Sequence, residues 1–157
     1  MHLSFHHSYP GTPDETVNLF KNPDFISDVA AHSGATRHEV TVDDRVTQLA
    51  LSLPTPSDVA RFVGKVVDLA LVFRWLEPDA SPERSCDLGV DVKGLPVSAE
   101  ARCILRPTPE GTSGDYSGNL VVRIPIVGSK VERMVVPFLV DAFDGIERRA
   151  NAWGRSS

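Results

Sequence analysis

Residues 131–146 read Val131-Glu132-Arg133-Met134-Val135-Val136-Pro137-Phe138-Leu139-Val140-Asp141-Ala142-Phe143-Asp144-Gly145-Ile146. Val131, Val135, Phe138, Ala142, Ile146, Arg149 and Trp153 recur at steps of three and four, the period of a helix with one face toward a core. Met134, Val136, Leu139, Val140 and Phe143 widen that face until the middle of the helix is apolar nearly all round. Such a helix needs cover on several sides. The spacing predicts one long helix over about 128–154, kinked at Pro137, where a backbone donor is missing.

The preceding chain offers strands as that cover. Leu3, Phe5, His7 and Tyr9 alternate with His2, Ser4, His6 and Ser8, and Pro10-Gly11 ends the run. Thr12-Pro13-Asp14-Glu15 is a capping box that opens a short helix, and Asn22-Pro23 breaks it. A second short helix over about 23–32 buries Phe25, Ile26 and Val29 and stops at Ser33-Gly34. Strands follow over about 36–42 and 45–53, joined at Asp43-Asp44. Residues 54–63 read as a loop in which Ser57-Asp58 caps at most one helical turn. A strand over 66–76 puts Val67, Leu69, Leu71, Phe73 and Trp75 on one face.

The next two strands carry their own register. Cys86, Leu88, Val90 and Val92 alternate with Asp87, Gly89 and Asp91, and Val97, Ala99, Ala101, Cys103 and Leu105 alternate with Ser98, Glu100 and Arg102. Folding about Gly94-Leu95 sets Asp87 opposite Arg102, Leu88 opposite Ala101 and Cys86 opposite Cys103, so charge and apolar pairs agree. Residues 107–114 read as a turn-rich loop. A last strand over about 115–124 turns Leu120, Val122 and Ile124 inward.

Strands joined by short loops, with helices segregated in sequence, make an α+β fold with an antiparallel sheet. We expect a single domain over 1–157, in which a curved sheet of about seven strands wraps the long helix. This order of elements resembles the START-like superfamily, also called helix-grip, SRPBCC, or the Bet v 1 and polyketide-cyclase group. The resemblance rests also on the run Ile124-Pro125-Ile126-Val127-Gly128-Ser129-Lys130-Val131-Glu132 that joins the last strand to the long helix. The strand around Phe5 to Tyr9, Asn22-Pro23-Asp24-Phe25 and Arg61-Phe62-Val63-Gly64 look like an uncharacterised bacterial family within that superfamily. The resemblance implies a cavity between sheet and helix, and it implies no particular reaction.

Bulk properties narrow the partners. A net charge of −5 over 157 residues argues against nucleic acid or an anionic membrane surface as the main partner. No run approaches the ~20 apolar residues that span a bilayer, so no stable membrane insertion is expected. The first residues lack a basic and apolar leader, and a cytoplasmic location is expected. Oligomeric state is not legible.

Given the resemblance, Leu71, Phe73, Trp75, Leu88, Val90, Ala101, Cys103, Leu120 and Val122 of the sheet would face Met134, Phe138 and Asp141 across a ligand cavity. Small inward residues such as Ala99 and Ala101 favour space. His7, Tyr9 and His38 fall on inward faces and are the possible polar contacts; the alternative for the two histidines is that they are satisfied within the core or lie at its rim. Asp141 is the one charge on the apolar part of the helix, facing either cavity or solvent. Cys86 and Cys103 read as two buried thiols. No His, Cys and acid spacing matches a metal site, and no cofactor and no catalytic residue are assigned. The leading expectation is a carrier of a small hydrophobic molecule, such as a lipid or polyketide. The alternatives are a cyclase, aromatase or hydrolase using the same cavity through His7, His38, Tyr9 or Asp141, and a ligand-free interaction module.

Overall fold

In chain order the computed structural model, which describes residues 1–153, runs β1 (His2–Tyr9), α1 (Pro13–Phe20), α2 (Pro23–His32), β2 (Arg37–Val42), β3 (Val46–Pro54), α3 (Ser57–Val63), β4 (Val66–Trp75), β5 (Arg84–Val92), β6 (Val97–Thr108), β7 (Gly111–Val122) and α4 (Gly128–Trp153). The strands form one antiparallel sheet in the order β1-β7-β6-β5-β4-β3-β2. Strands β2 to β7 are a meander, and β1 joins the free edge of β7, so α1 and α2 carry the chain from one sheet edge to the other.

Local chemistry sets the ends of these elements. Thr12 Oγ1 accepts from the Glu15 amide while the Glu15 carboxylate accepts from the Thr12 amide, the reciprocal capping box that starts α1. Asn22 Oδ1 accepts from the Asp24 amide and starts α2. The β5–β6 register is the one the alternating residues require: Cys86 faces Cys103, Asp87 faces Arg102 and Leu88 faces Ala101. Arg102 and Asp87 meet at 2.6 Å, both half exposed, so the pair sets register more than it stabilises.

Two segments read as loops are structured. Residues 57–63 form a helix because the Pro56 carbonyl accepts from the Val59 and Ala60 amides, and Val59 is buried as its anchor. No side chain caps it, so Ser57 and Asp58 do not have the capping role read for them. Residues 107–114 belong to a long hairpin whose register continues to Thr108 opposite Gly111. The reason is β1, which pairs with residues 112–119 along its whole length and holds the β7 side of the hairpin from its other edge. The last strand ends at Val122, leaving Ile124 outside it.

Gly118 marks the tightest place in the sheet. A Cβ there would sit 1.8 Å from the Glu100 carbonyl oxygen, so β6 and β7 approach as only glycine permits. Across the inner face lies α4, with Val131, Val135, Phe143, Ile146 and Ala150 buried. Its C-terminal half is fastened: Arg149 bridges Asp28 of α2 at 2.8 Å, and the Trp153 ring meets Phe25 edge-on at 5.6 Å. Its middle is not fully covered. Met134, Val136, Phe138, Leu139 and Val140 are only half-buried, less than an all-round apolar helix leads one to expect. Residue 154, where the long helix was expected to end, lies outside the described residues. No helix among the described residues is long and apolar enough to cross a membrane.

Candidate ligand-binding site

The space between sheet and α4 is an apolar cleft of about 40 Å³. Val135, Phe138 and Leu139 of α4 form one wall, and Val67, Leu69, Val90, Val92, Val97, Ala99 and Leu120 of the sheet form the other. Val59 and Val63 of α3 close one side. Thr55 and Ser98 contribute the polar side chains of the lining. A second gap of about 10 Å³ lies further along α4, between Phe143 and Leu3, Phe5, Leu88 and Ala101. Val90, Ala99 and Leu139 border both spaces.

A groove of about 300 Å³ lies on the other side of Phe138, between α2, the end of β3 and α4. Phe138 borders this groove and the inner cleft alike. Pro137 stands beside it, at the point of α4 where one i→i−4 backbone hydrogen bond cannot form.

Of the residues expected to face a cavity, Val90, Leu120 and Phe138 line the main cleft, and Leu88 and Ala101 line the smaller gap. Phe73, Trp75, Cys103 and Val122 are packed in the core, Leu71 is half-buried on the inner face, and Met134 packs near the start of α4. The Trp75 indole N–H is buried without an acceptor among the described residues. Asp141 is exposed and borders the outer groove rather than the cleft. His38 has the inward register, opposite Leu51, yet lies exposed because β2 is the sheet edge. Val59 and Val63 were missed with their helix, although their spacing of four is a helical signal.

His7 and Tyr9 do not line the cleft. They belong to a buried polar chain. Asp144 Oδ1 lies 3.0 Å from His7 Nε2, His7 Nδ1 lies 2.8 Å from the Tyr9 hydroxyl, and that hydroxyl lies 2.5 Å from the Tyr116 hydroxyl. Tyr116 in turn lies opposite Cys103 in the β6–β7 register. The Asp144 carboxylate only accepts, so His7 Nε2–H donates to it, the bare Nδ1 accepts from the Tyr9 hydroxyl, and the Tyr9 oxygen accepts from the Tyr116 hydroxyl. Phe5 stacks on Tyr116 at 4.5 Å and lines the smaller gap, whereas none of the five polar residues lines either space.

Burial dominates the acid–base chemistry of this chain. It lowers the His7 pKa, against the hydrogen bond that His7 donates to Asp144 and the charges of Glu147 and Asp144. It raises both tyrosines well above their usual value. Burial also pushes the Cys103 thiol up to about 12, and the Cys86 thiol is raised as well. His7 is thus neutral at pH 7, and both thiols are protonated. One nitrogen of His7 and one carboxylate oxygen each of Asp144 and Glu147 lie within 4.8 Å of one another, a set that could hold a cation. Glu147 accepts from the Ser8 amide at 2.7 Å, so these carboxylates also serve to fasten α4 to β1. Local spacing could not reveal the set, because its members come from the two ends of the chain.

Solved structures share this architecture. The chain is similar to the protein TTHA0849 from Thermus thermophilus at 16% identity and TM-score 0.66, with 100% of each chain covered. It is similar to the di-domain ARO/CYC StfQ from the steffimycin biosynthetic pathway at 14% identity and TM-score 0.66, covering 99% of this chain and 50% of that one. Human STARD10 matches at 10% identity and TM-score 0.63, covering 98% of this chain and 64% of that one. The fold is therefore START-like. No curated protein matches. The sequence model of a family described as "Protein of unknown function (DUF2505)" matches residues 4–153.

Proposed function

From two premises, that the chain belongs to the DUF2505 family and that its fold encloses an apolar cleft under α4, we propose that it binds and carries a small hydrophobic molecule. One observation carries the reading. Phe138 and Leu139 of α4, which line the cleft, are only half-buried, next to inward side chains of the sheet that leave a gap. Covering them with a ligand removes apolar surface from water, worth about 25 cal/mol per Å². Two proteins of the same fold, a STAR-related lipid transfer protein from Xanthomonas axonopodis and the di-domain ARO/CYC StfQ, support a hydrophobic ligand class.

The cleft at about 40 Å³ is far below the roughly 300 Å³ a drug-sized ligand needs. A ligand can therefore enter only with displacement of Phe138 or α3, which would open the cleft to the outer groove or to the surface. Thr55 and Ser98 do not make an acid–base pair beside a ligand, and this favours carriage over catalysis.

The test is titration of a fluorescent fatty acid and of an aromatic probe, followed by tryptophan quenching and native mass spectrometry. Saturable one-to-one binding that is competed by an unlabelled ligand is expected. No binding across fatty-acid, sterol and aromatic probes would remove the carrier reading.

A further inference from the structure

Ile126 is fully exposed and has a φ of +73°, the left-handed region that β-branched residues avoid. It lies in the turn from β7 to α4. Other apolar side chains reach the surface at the same end. Val66, just after α3, is 52% exposed, and Phe62 of α3 is half-buried. These segments are neighbours. The Arg123 amide donates to the Pro96 carbonyl at 2.8 Å, and the Lys130 ammonium of α4 sits 6.0 Å from the Phe62 ring.

Cations gather at this end. Arg61, Lys65, Lys93, Arg123, Lys130 and Arg133 are all exposed, and among the described residues none of them makes an ion pair. Away from this end, Arg45, Arg84, Arg102, Arg106 and Arg149 are each paired with a carboxylate, whereas Lys21, Arg37, Arg74 and Arg148, which make no ion pair among the described residues, are spread over other parts of the fold. The local acids are Asp58, Asp68, Asp91 and Glu132, and Glu132 is engaged by the N-terminal amine and the Val122 amide. A chain of net charge −5 thus carries a cationic end with apolar side chains at its tip. Net charge alone, which argued against an anionic surface, conceals this asymmetry.

Apolar tips ringed by unpaired cations fit the boundary of a bilayer, where the apolar groups enter and the cations meet anionic headgroups. A nucleic acid would use the cations but not the exposed Ile126. Val59 and Val63 of α3 line the cleft, so the same end borders the candidate ligand site. We propose that this end docks reversibly on an anionic lipid surface, with Ile126, Phe62 and Val66 at the interface and α3 as the side through which ligand passes. The use of the docking rests on the carrier reading; the surface itself is tested apart from it.

The test is flotation of the full chain with vesicles of phosphatidylcholine alone and of phosphatidylcholine mixed with phosphatidylglycerol. Binding to the mixed vesicles only, lost at high salt, is expected. Ile126→Glu, and separately Lys130→Glu with Arg133→Glu, should each lower binding by about tenfold or more, while Arg74→Glu on β4 should leave it unchanged. Circular dichroism verifies that each variant is folded. Absence of flotation with the mixed vesicles overturns the proposal. So does wild-type binding by Ile126→Glu, which would mark a polyanion contact without lipid insertion. Binding of the fluorescent fatty acid is measured in parallel without vesicles. Probe binding without flotation overturns the docking and leaves the carrier, and flotation without probe binding does the reverse.

Discussion

His7 Nε2 and Asp144 Oδ1 lie 3.0 Å apart across 137 positions of sequence and tie β1 to α4. His7 is fully buried, so an unpartnered Nε2 cannot turn to water. Asp144→Ala should therefore cost about 1–3 kcal/mol, toward the lower end because the carboxylate itself is partly exposed. Asp144→Asn, which keeps an acceptor oxygen, should cost less than half as much. Urea midpoints of the three proteins check both, and equal midpoints for Asp144→Ala and wild type would show that the contact does not stabilise α4.

The same histidine predicts a pH dependence. Burial lowers its folded pKa, opposed by Asp144 and Glu147 of α4 and assisted by His6 of β1; Tyr9 and Tyr116 face it as neutral phenols. An unfolded histidine takes a proton below about pH 6.5. Between that value and the lower folded pKa the unfolded state binds more protons, so this group makes stability fall as pH falls. Above about pH 6.5 it contributes no slope. His7→Gln should flatten the decline between neutral and mildly acidic pH, measured by denaturant midpoints across that range. An unchanged slope would place its origin in other groups.

Legibility followed the range of the physical signal. The β5–β6 register could be read because Asp87, Arg102, Leu88 and Ala101 face one another across a short turn. The α1 capping box could be read because it closes within four residues. The extent of β7 could not, because its first residues are held by β1, about a hundred positions away in sequence. For the same reason Asp144, Glu147 and Tyr116 were invisible as partners of His7 and Tyr9, and the inward alternation that named His38 could not reveal that β2 is an edge. The half-buried state of Phe138 and Leu139 was also out of reach, since periodicity reports which side of a helix is apolar but not how closely the sheet approaches it.

The two cysteines should be inert in the folded protein. Burial holds Cys103 near 12 and raises Cys86, so almost no thiolate exists at pH 8. Labelling with a disulfide reagent at that pH should show no modified chain by mass spectrometry until denaturant is added, after which both thiols should react. Rapid labelling of either residue under native conditions would show that the β5–β6 region opens easily.

Ala99 borders both spaces under α4. Ala99→Leu should fill the cleft and lower the affinity for a hydrophobic probe by about tenfold or more, which corresponds to at least ~1.4 kcal/mol. The cost in stability should stay below the usual 1–3 kcal/mol of overpacking, because free volume is already present there. Phe138→Ala should act in the opposite sense, joining cleft and outer groove and admitting larger probes. Unaltered affinity in Ala99→Leu would place the ligand elsewhere.

Ile126 sets a stability effect against a functional one. A left-handed backbone costs an L-residue about 1–2 kcal/mol, and the fully exposed side chain recovers nothing by burial. Asparagine tolerates that conformation better than a β-branched residue does. Ile126→Asn should therefore raise stability by about 0.5–1 kcal/mol, seen as a higher urea midpoint with an unchanged slope. Glycine would give a smaller gain, because it also adds freedom to the unfolded chain. If the apolar tip serves docking, the stabilised Ile126→Asn protein should bind anionic vesicles less well than wild type. A variant that is both more stable and equally well bound would leave the exposed isoleucine without a role in docking.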